Sequence, residues 1–182
     1  MNKEELSEVL SRADAAYARG SLDEALELYR QVLAEDETVA WAHSRTGAIL
    51  AQKDDLAGAE AHLRRAIELD PNLPQAHSNL GNLDYARGDY AAALEKYQLA
   101  VKLDPNNPTF HENLHAAYKK LGRISEAVDA IKRAQRLKRQ QVNNEIRQDM
   151  ADLGSRVKRR AGCLPAGVLT ALLLALLLMA LS

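Results

Sequence analysis

Residues 74–107 read PQAHSNLGNLDYARGDYAAALEKYQLAVKLDPNN, and the order within this stretch decides the fold. Two helix-forming runs flank a punctuated centre, Gly88-Asp89. Glycine tolerates the positive φ that ends a helix, so this pair marks a tight turn. The small residues Gly81 and Ala93 let two antiparallel helices approach closely. Asp104-Pro105 closes the unit, because proline cannot continue a helix and Asp-Pro suits the start of a turn. One such hairpin cannot bury its apolar face alone and needs stacked neighbours.

Those neighbours are present at a step of 34 residues. Ala25, Ala59, Ala93 and Ala127 keep it, as do Leu22, Leu56, Tyr90 and Ile124. Gly20, Asp54, Gly88 and Gly122 share the step, and so do Ala66, Ala100 and Ala134. Leu69, Leu103 and Leu137 follow, with His43, His77 and His111 in phase and Asp70-Pro71 matching Asp104-Pro105. Recurrence on this scale is the signature of a helical-hairpin solenoid. The register predicts that Ala93 is core and Lys96 is exposed.

The pattern Leu80-Gly81, Tyr85, Gly88, Tyr90, Ala93, Tyr97, Ala100 and Pro105 resembles the tetratricopeptide-repeat (TPR) family. The resemblance covers about three-quarters of the chain and places repeats at 6–39, 40–73, 74–107 and 108–141. It implies an all-α TPR solenoid of about four repeats over residues 1–141. The terminal repeats depart from the pattern. Ala13 and His115 stand where the middle repeats have glycine, and Glu37 and Arg139 where they have proline. Atypical end repeats are expected where an outer face meets solvent.

Composition agrees with helices packed through small residues. The 182-residue chain is 47% hydrophobic and only 4% aromatic, with 27% charged residues. Its net charge of −1 hides a division. Lys132 to Arg160 holds ten basic and three acidic residues, a net of +7; the remaining fourteen basic and twenty-two acidic residues give −8. A single cysteine, Cys163, excludes an internal disulfide framework and a multi-cysteine zinc site. Met1 to Glu5 has no apolar core and does not read as a signal peptide.

Beyond the repeats, Val142, Ile146, Met150, Leu153 and Val157 form a helical stripe. Residues 142–163 are read as a basic capping or stem helix whose stripe covers the last repeat. The same stripe would serve a short coiled coil between two chains, although it is brief for sustained heptads. Residues 164–181 contain no charge, and 18 helical residues reach roughly 27 Å, enough for a bilayer core. They are read as a transmembrane helix and the chain as tail-anchored in a lipid bilayer. Arg156, Lys158, Arg159 and Arg160 are expected to contact lipid headgroups, at about 1 kcal/mol per charge. Positive charge marks the cytoplasmic side, so the repeats are expected to face the cytoplasm. Cys163 then sits at the membrane edge, as a plain thiol or an S-acylation site.

No phosphate-binding loop, HExxH helix, GxSxG elbow or kinase signature occurs, so neither an enzyme nor a cofactor is expected. The His43, His77 and His111 row is read as hairpin packing, since residues a repeat apart cannot share one metal ion. The basic stem lacks stacking aromatics, and no nucleic acid is expected as a partner.

The resemblance also implies a concave groove lined by the first helix of each hairpin. Counting along the repeats assigns Asp14, Tyr17, Trp41, Arg45, Asn79, Asn82, Tyr85, Asn113 and Lys119 to peptide binding, with Gln52, Gln75, Glu112 and Lys120 beside them. Amides donate and accept, so an asparagine row can pair with a peptide backbone whatever its sequence. Some TPR domains clamp a chaperone's C-terminal carboxylate with Lys, Asn, Asn, Lys and Arg. Here the leading positions hold Leu10 and Asp14 with Arg45 at the next asparagine site, or Ser44 and Ala48 one repeat later. Neither frame reproduces the clamp. The function expected is that of a membrane-anchored adaptor for a protein or peptide segment. The rival expectation is a structural homo-oligomer joined through the stem or transmembrane helix.

Overall fold

A computed structural model of the chain describes residues 2–161, with side chains placed as far as Arg156. The segment 164–181 lies outside the described residues. Among the described residues, eight helices follow in order: α1 (Lys3–Ala18), α2 (Leu22–Glu35), α3 (Ala40–Gln52), α4 (Leu56–Leu69), α5 (Pro74–Ala86), α6 (Tyr90–Leu103), α7 (Pro108–Lys120) and α8 (Ile124–Ala161). Helices α1–α2, α3–α4 and α5–α6 pair as hairpins, each packed on the next helix in order, and α7 meets α8 through Ala117 and Ala130 and the His115–Ala127 hydrogen bond. The first helices α3, α5 and α7 also lie side by side, which makes them the lining of one face.

Local chemistry sets these boundaries. Asn2 and Glu5 form a reciprocal capping box at α1. Asp55 and Asp89 cap α4 and α6, accepting from Gly58 N–H at 2.9 Å and Ala92 N–H at 3.0 Å. Pro74 and Pro108 occupy the first turn of α5 and α7, where a missing N–H costs nothing. Gly20, Gly88 and Gly122 take positive φ between the helices of their hairpins, and Asp54 does so in the second at φ 62°. A non-glycine residue is strained there, although aspartate tolerates the conformation better than most.

The second helices end by a shared device. Asp36, Asp70 and Asp104 each accept a hydrogen bond from the backbone N–H two residues on, at 2.8, 2.9 and 3.1 Å. This Asx turn competes with further helix. The equivalent fourth position is Lys138, followed by Arg139 in place of proline. With neither stop present, α8 runs on to Ala161.

The first compact unit is Met1–Leu137 and the second begins at Lys138. The core of the first is built from Ala13, Ala16, Ala25, Tyr29 and Val32, then Ala59, Leu63 and Ala66, then Ala93, Tyr97 and Ala100, then Ala134 and Leu137. Close approach explains the glycines: a Cβ on Gly81 would lie 2.8 Å from the Tyr97 ring, and one on Gly47 2.7 Å from Leu63 Cγ. His115 takes this position in the fourth repeat and donates from Nδ1 to the Ala127 carbonyl at 2.9 Å.

Two expectations are corrected. Lys96 is not on the open surface; it is half-buried and pairs with Asp84 at 2.5 Å. The stripe assigned to capping is bare. Val142, Ile146, Met150 and Leu153 are 51, 54, 65 and 56% exposed, and every described side chain from Lys138 to Arg156 is on the surface. A cap requires a stop and a turn after the fourth hairpin, and Lys138-Arg139 supplies neither. Among the described residues no helix is long and apolar enough to cross a membrane.

Candidate functional site

The groove positions divide into an anchored end and an amide-rich centre. At the first end, Asp14 on α1 is the hub. Its Oδ1 accepts from the buried Tyr29 hydroxyl at 2.5 Å and from Trp41 Nε1–H at 2.9 Å. Arg45 Nε lies 3.7 Å from the same oxygen, an ion pair too long for a hydrogen bond. The Arg45 guanidinium sits 4.6 Å from the Tyr17 ring centroid and 4.1 Å from that of Trp41. Two aromatic faces and one carboxylate therefore hold a single cation in place. Burial, then the adjacent Asp14 carboxylate, raises the Tyr29 phenol well above its ordinary pKa, so it remains a donor.

The same geometry returns two repeats later in neutral form. Asn82 and Tyr97 stand 68 residues after Asp14 and Tyr29, and the Tyr97 hydroxyl donates to Asn82 Oδ1 at 2.8 Å. The second repeat puts Ala48 and Leu63 at these positions, an apolar pair. Polar and apolar hairpin contacts thus alternate over the first three repeats. On α7, Asn113 Nδ2 donates to Ser78 Oγ at 2.9 Å, tying two first helices together.

Two adjoining clefts result. One, of about 310 Å³, runs over Ala48, Gln52 and Leu83. The other, of about 330 Å³, runs over Arg45, Gln75, Ser78, Phe110 and Asn113. Tyr17, Asn79 and Asn82 line both. Arg45 is the one charged side chain lining the second cleft. Asn79 has no hydrogen-bond partner among the described residues; Asn82 keeps its Nδ2 donors and Asn113 its Oδ1 acceptor. The free groups are those a peptide main chain would need.

Of the residues assigned to peptide binding, Tyr17, Arg45, Asn79, Asn82 and Asn113 line the clefts, while Asp14 and Trp41 line neither and hold Arg45 in place. Tyr85 and Lys119 line neither cleft. Tyr85 packs edge-on against Tyr90, with ring centroids 5.1 Å apart, beside the core of α6 and α7. Lys119 is exposed. Ser78, Asn107, Thr109 and Phe110 line the second cleft and were not assigned. Thr109 is in phase with Trp41 and Gln75, so the 34-residue step could have found it. Asn107 lies just before α7, where its side chain accepts from Thr109 N–H at 3.1 Å, and no helix-face count reaches it.

The histidine row holds hairpin to hairpin. Each Nε2–H donates to the carbonyl six residues earlier: His43 to Glu37 at 3.1 Å, His77 to Pro71 at 2.8 Å, His111 to Pro105 at 2.9 Å. His43 Nδ1 also meets His62 Nδ1 at 2.9 Å. His43 donates through Nε2, so with a neutral His43 ring its Nδ1 accepts from His62; in either direction the contact requires at least one neutral ring. Burial lowers both imidazoles below their ordinary pKa. Among the described residues no group of three His, Cys, Asp or Glu side chains could hold a metal ion. Of the residues assigned to lipid headgroups, Arg156 is exposed, and the side chains of Lys158, Arg159 and Arg160 lie outside the described set.

No curated protein matches the chain. A crystal structure of MamA is similar at 23% identity, covering 76% of this chain and 81% of that one, with a TM-score of 0.61. The first TPR of Spaghetti (RPAP3), bound to the HSP90 peptide SRMEEVD, is similar at 19% identity over 67% of this chain and 97% of that one, TM-score 0.59. A Thermobaculum terrenum O-GlcNAc transferase mutant matches at 25% identity over 65% of this chain and 23% of that one, TM-score 0.61. Residues 47–85 and 81–122 match the family described as TPR repeat, and residues 116–141 match that described as tetratricopeptide repeat. Together these matches span just over half of the sequence, and the chain belongs to the tetratricopeptide-repeat family.

Proposed function

We propose that this chain is an adaptor that holds a protein segment in the groove of its first helices and, through residues 164–181, keeps that segment at a membrane surface. The observation that carries the reading is the pair of clefts meeting at Tyr17, Asn79 and Asn82, with amide groups left unspent. An extended segment with mixed side chains suits it. Its backbone meets the amides, an apolar residue meets Phe110 or Leu83, and a hydrogen-bond acceptor meets Arg45. The RPAP3 domain carries an HSP90 peptide. This chain lacks the carboxylate-clamp side chains, so a chaperone tail is not the ligand we propose.

The membrane part rests on sequence. Residues 164–181 are uncharged and long enough to span a bilayer core, and Arg156, Lys158, Arg159 and Arg160 precede them. Basic flanks stay on the cytoplasmic side, which supports repeats that face the cytoplasm. Confinement raises the local concentration of whatever the groove holds. The protein is proposed to have no catalytic role.

The test is calorimetry with a segment recovered from membranes by capture on the intact chain. Asn79→Ala removes a groove amide that has no internal partner among the described residues and should weaken binding by about 1 kcal/mol, one or two hydrogen bonds' worth. The helical signal should not change. Unaltered affinity in Asn79→Ala, together with loss on changing Glu95 on the outer helix α6, would refute the groove as the binding face.

A further inference from the structure

The surface of α8 beyond Leu137 has an apolar stripe and an uneven charge pattern that belong together. Written in heptads, Asn143, Ile146, Met150 and Leu153 fall on successive a, d, a and d positions. Asp149 and Arg156 fall on successive g positions flanking that seam. Both are exposed, and neither makes an ion pair among the described residues. The charges are segregated along the helix. Glu145, Asp149 and Asp152 share the segment 145–152 with Arg147 alone, while Arg156, Lys158, Arg159 and Arg160 follow with no acid among them.

We infer that this face pairs with the same face of a second copy of the chain, the two helices running antiparallel. An antiparallel pair sets the acidic segment of each helix against the basic segment of the other. A parallel pair would set base against base and acid against acid, which is destabilising. The heptad phase makes the match specific. Met150 of each helix faces Leu153 of the other. In antiparallel coils g positions face g positions, so Asp149 meets Arg156 twice across the two-fold axis, and Arg147 meets Gly154 rather than another cation. A parallel pair offers Asp149 only Gly154 and makes no such ion pair. Asn143 alone argues the other way, since it would face its own copy in a parallel pair.

The seam spans only about three turns, so the association is weak in dilute solution and strengthened by confinement. If the anchor reading above holds, antiparallel stems lie along the membrane instead of standing on it. Two grooves would then be carried by one assembly.

The experiment uses the full chain in detergent micelles with Cys163→Ser, which removes the single cysteine. Met150→Cys and Leu153→Cys are made separately and oxidised alone or mixed. The expected result is that the mixture crosslinks in preference to either variant alone, because position 150 faces position 153. Preferential 150–150 and 153–153 crosslinks would show a parallel pair and overturn the proposal. Crosslinking is then repeated with charge variants. Asp149→Arg should weaken dimerisation on the order of tenfold, replacing two attractions by two repulsions. Asp149→Arg combined with Arg156→Asp should restore it, since the swapped pattern is again self-complementary. Positions 149, 150, 153 and 156 are exposed, and circular dichroism checks that the helix persists. A chain that stays monomeric at about 100 µM, or a stripe that enters lipid vesicles without crosslinking, would also overturn the proposal.

Discussion

Asp14 is the side chain whose removal tests the groove geometry most directly. Asp14→Ala takes the acceptor from Tyr29, whose ring is fully buried, and from Trp41, and the carboxylate from beside Arg45. A hydrogen bond to a charged acceptor contributes about 1.5–3 kcal/mol, and the hydroxyl left behind cannot readily reach water. The Trp41 bond adds about 0.5–1.5 kcal/mol. The Arg45 pair is long and part-exposed and adds little. The expected cost is therefore about 2–4 kcal/mol. Asn82→Ala removes the equivalent acceptor from Tyr97, but Asn82 is neutral and exposed, so water replaces it and the cost is about 1 kcal/mol. Adding Tyr29→Phe to Asp14→Ala should cost almost nothing further, because the orphaned hydroxyl is then gone. The cycle of Asp14→Ala and Tyr29→Phe should thus show a coupling of about 1 kcal/mol or more. Trp41 is the chain's one tryptophan and lies in the cluster, so its fluorescence during urea unfolding reports locally while far-UV dichroism reports globally. Equal losses in Asp14→Ala and Asn82→Ala, or an additive cycle, would refute the account of Asp14 as a hub.

Three further outcomes are expected. Ala93→Leu should destabilise the fold by about 1–3 kcal/mol through overpacking, whereas Glu95→Ala on the exposed face of α6 should stay within about 0.5 kcal/mol; urea midpoints decide. Burial holds the His43 and His62 pKa values below 6.5 in the folded chain, so the unfolded chain binds more protons as pH falls through that value. Stability should be full above about pH 7 and decline toward pH 5, lowering Tm by a few degrees, and His62→Leu should flatten the decline. Deleting residues 162–182 should leave the far-UV helical signal and unfolding of the repeats unchanged, since every described core residue precedes them; an altered Trp41 transition in the truncated chain would contradict this.

The hairpins were legible in the sequence because their determinants are local and recur every 34 residues. Gly88, Asp89, Pro105 and the alanines at 59, 93 and 127 act within one repeat or between adjacent ones, and single-chain periodicity captures such interactions. The end of α8 was legible in part. Lys138-Arg139 lacks the stop that Asp70-Pro71 and Asp104-Pro105 supply, yet only the structure showed Val142, Ile146, Met150 and Leu153 uncovered. Helical spacing says that side chains share a face, and not what that face meets.

The groove divides along the same line. Counting by repeats identified Asp14, Tyr17, Trp41, Arg45, Asn79, Asn82 and Asn113 as residues of the first helices, because a helix face is a property of local geometry. Which of them retain free hydrogen-bonding groups depended on contacts 15 to 35 residues apart in sequence: Tyr29 to Asp14, Tyr97 to Asn82 and Asn113 to Ser78. The same holds for Tyr85, turned against Tyr90 by packing, and for Lys96, drawn to Asp84. By itself the sequence determined a repeating helical hairpin and the faces of its helices. Tertiary structure alone decided which polar groups are satisfied inside the protein and which remain for a ligand, since that depends on the partners brought within about 3 Å by packing.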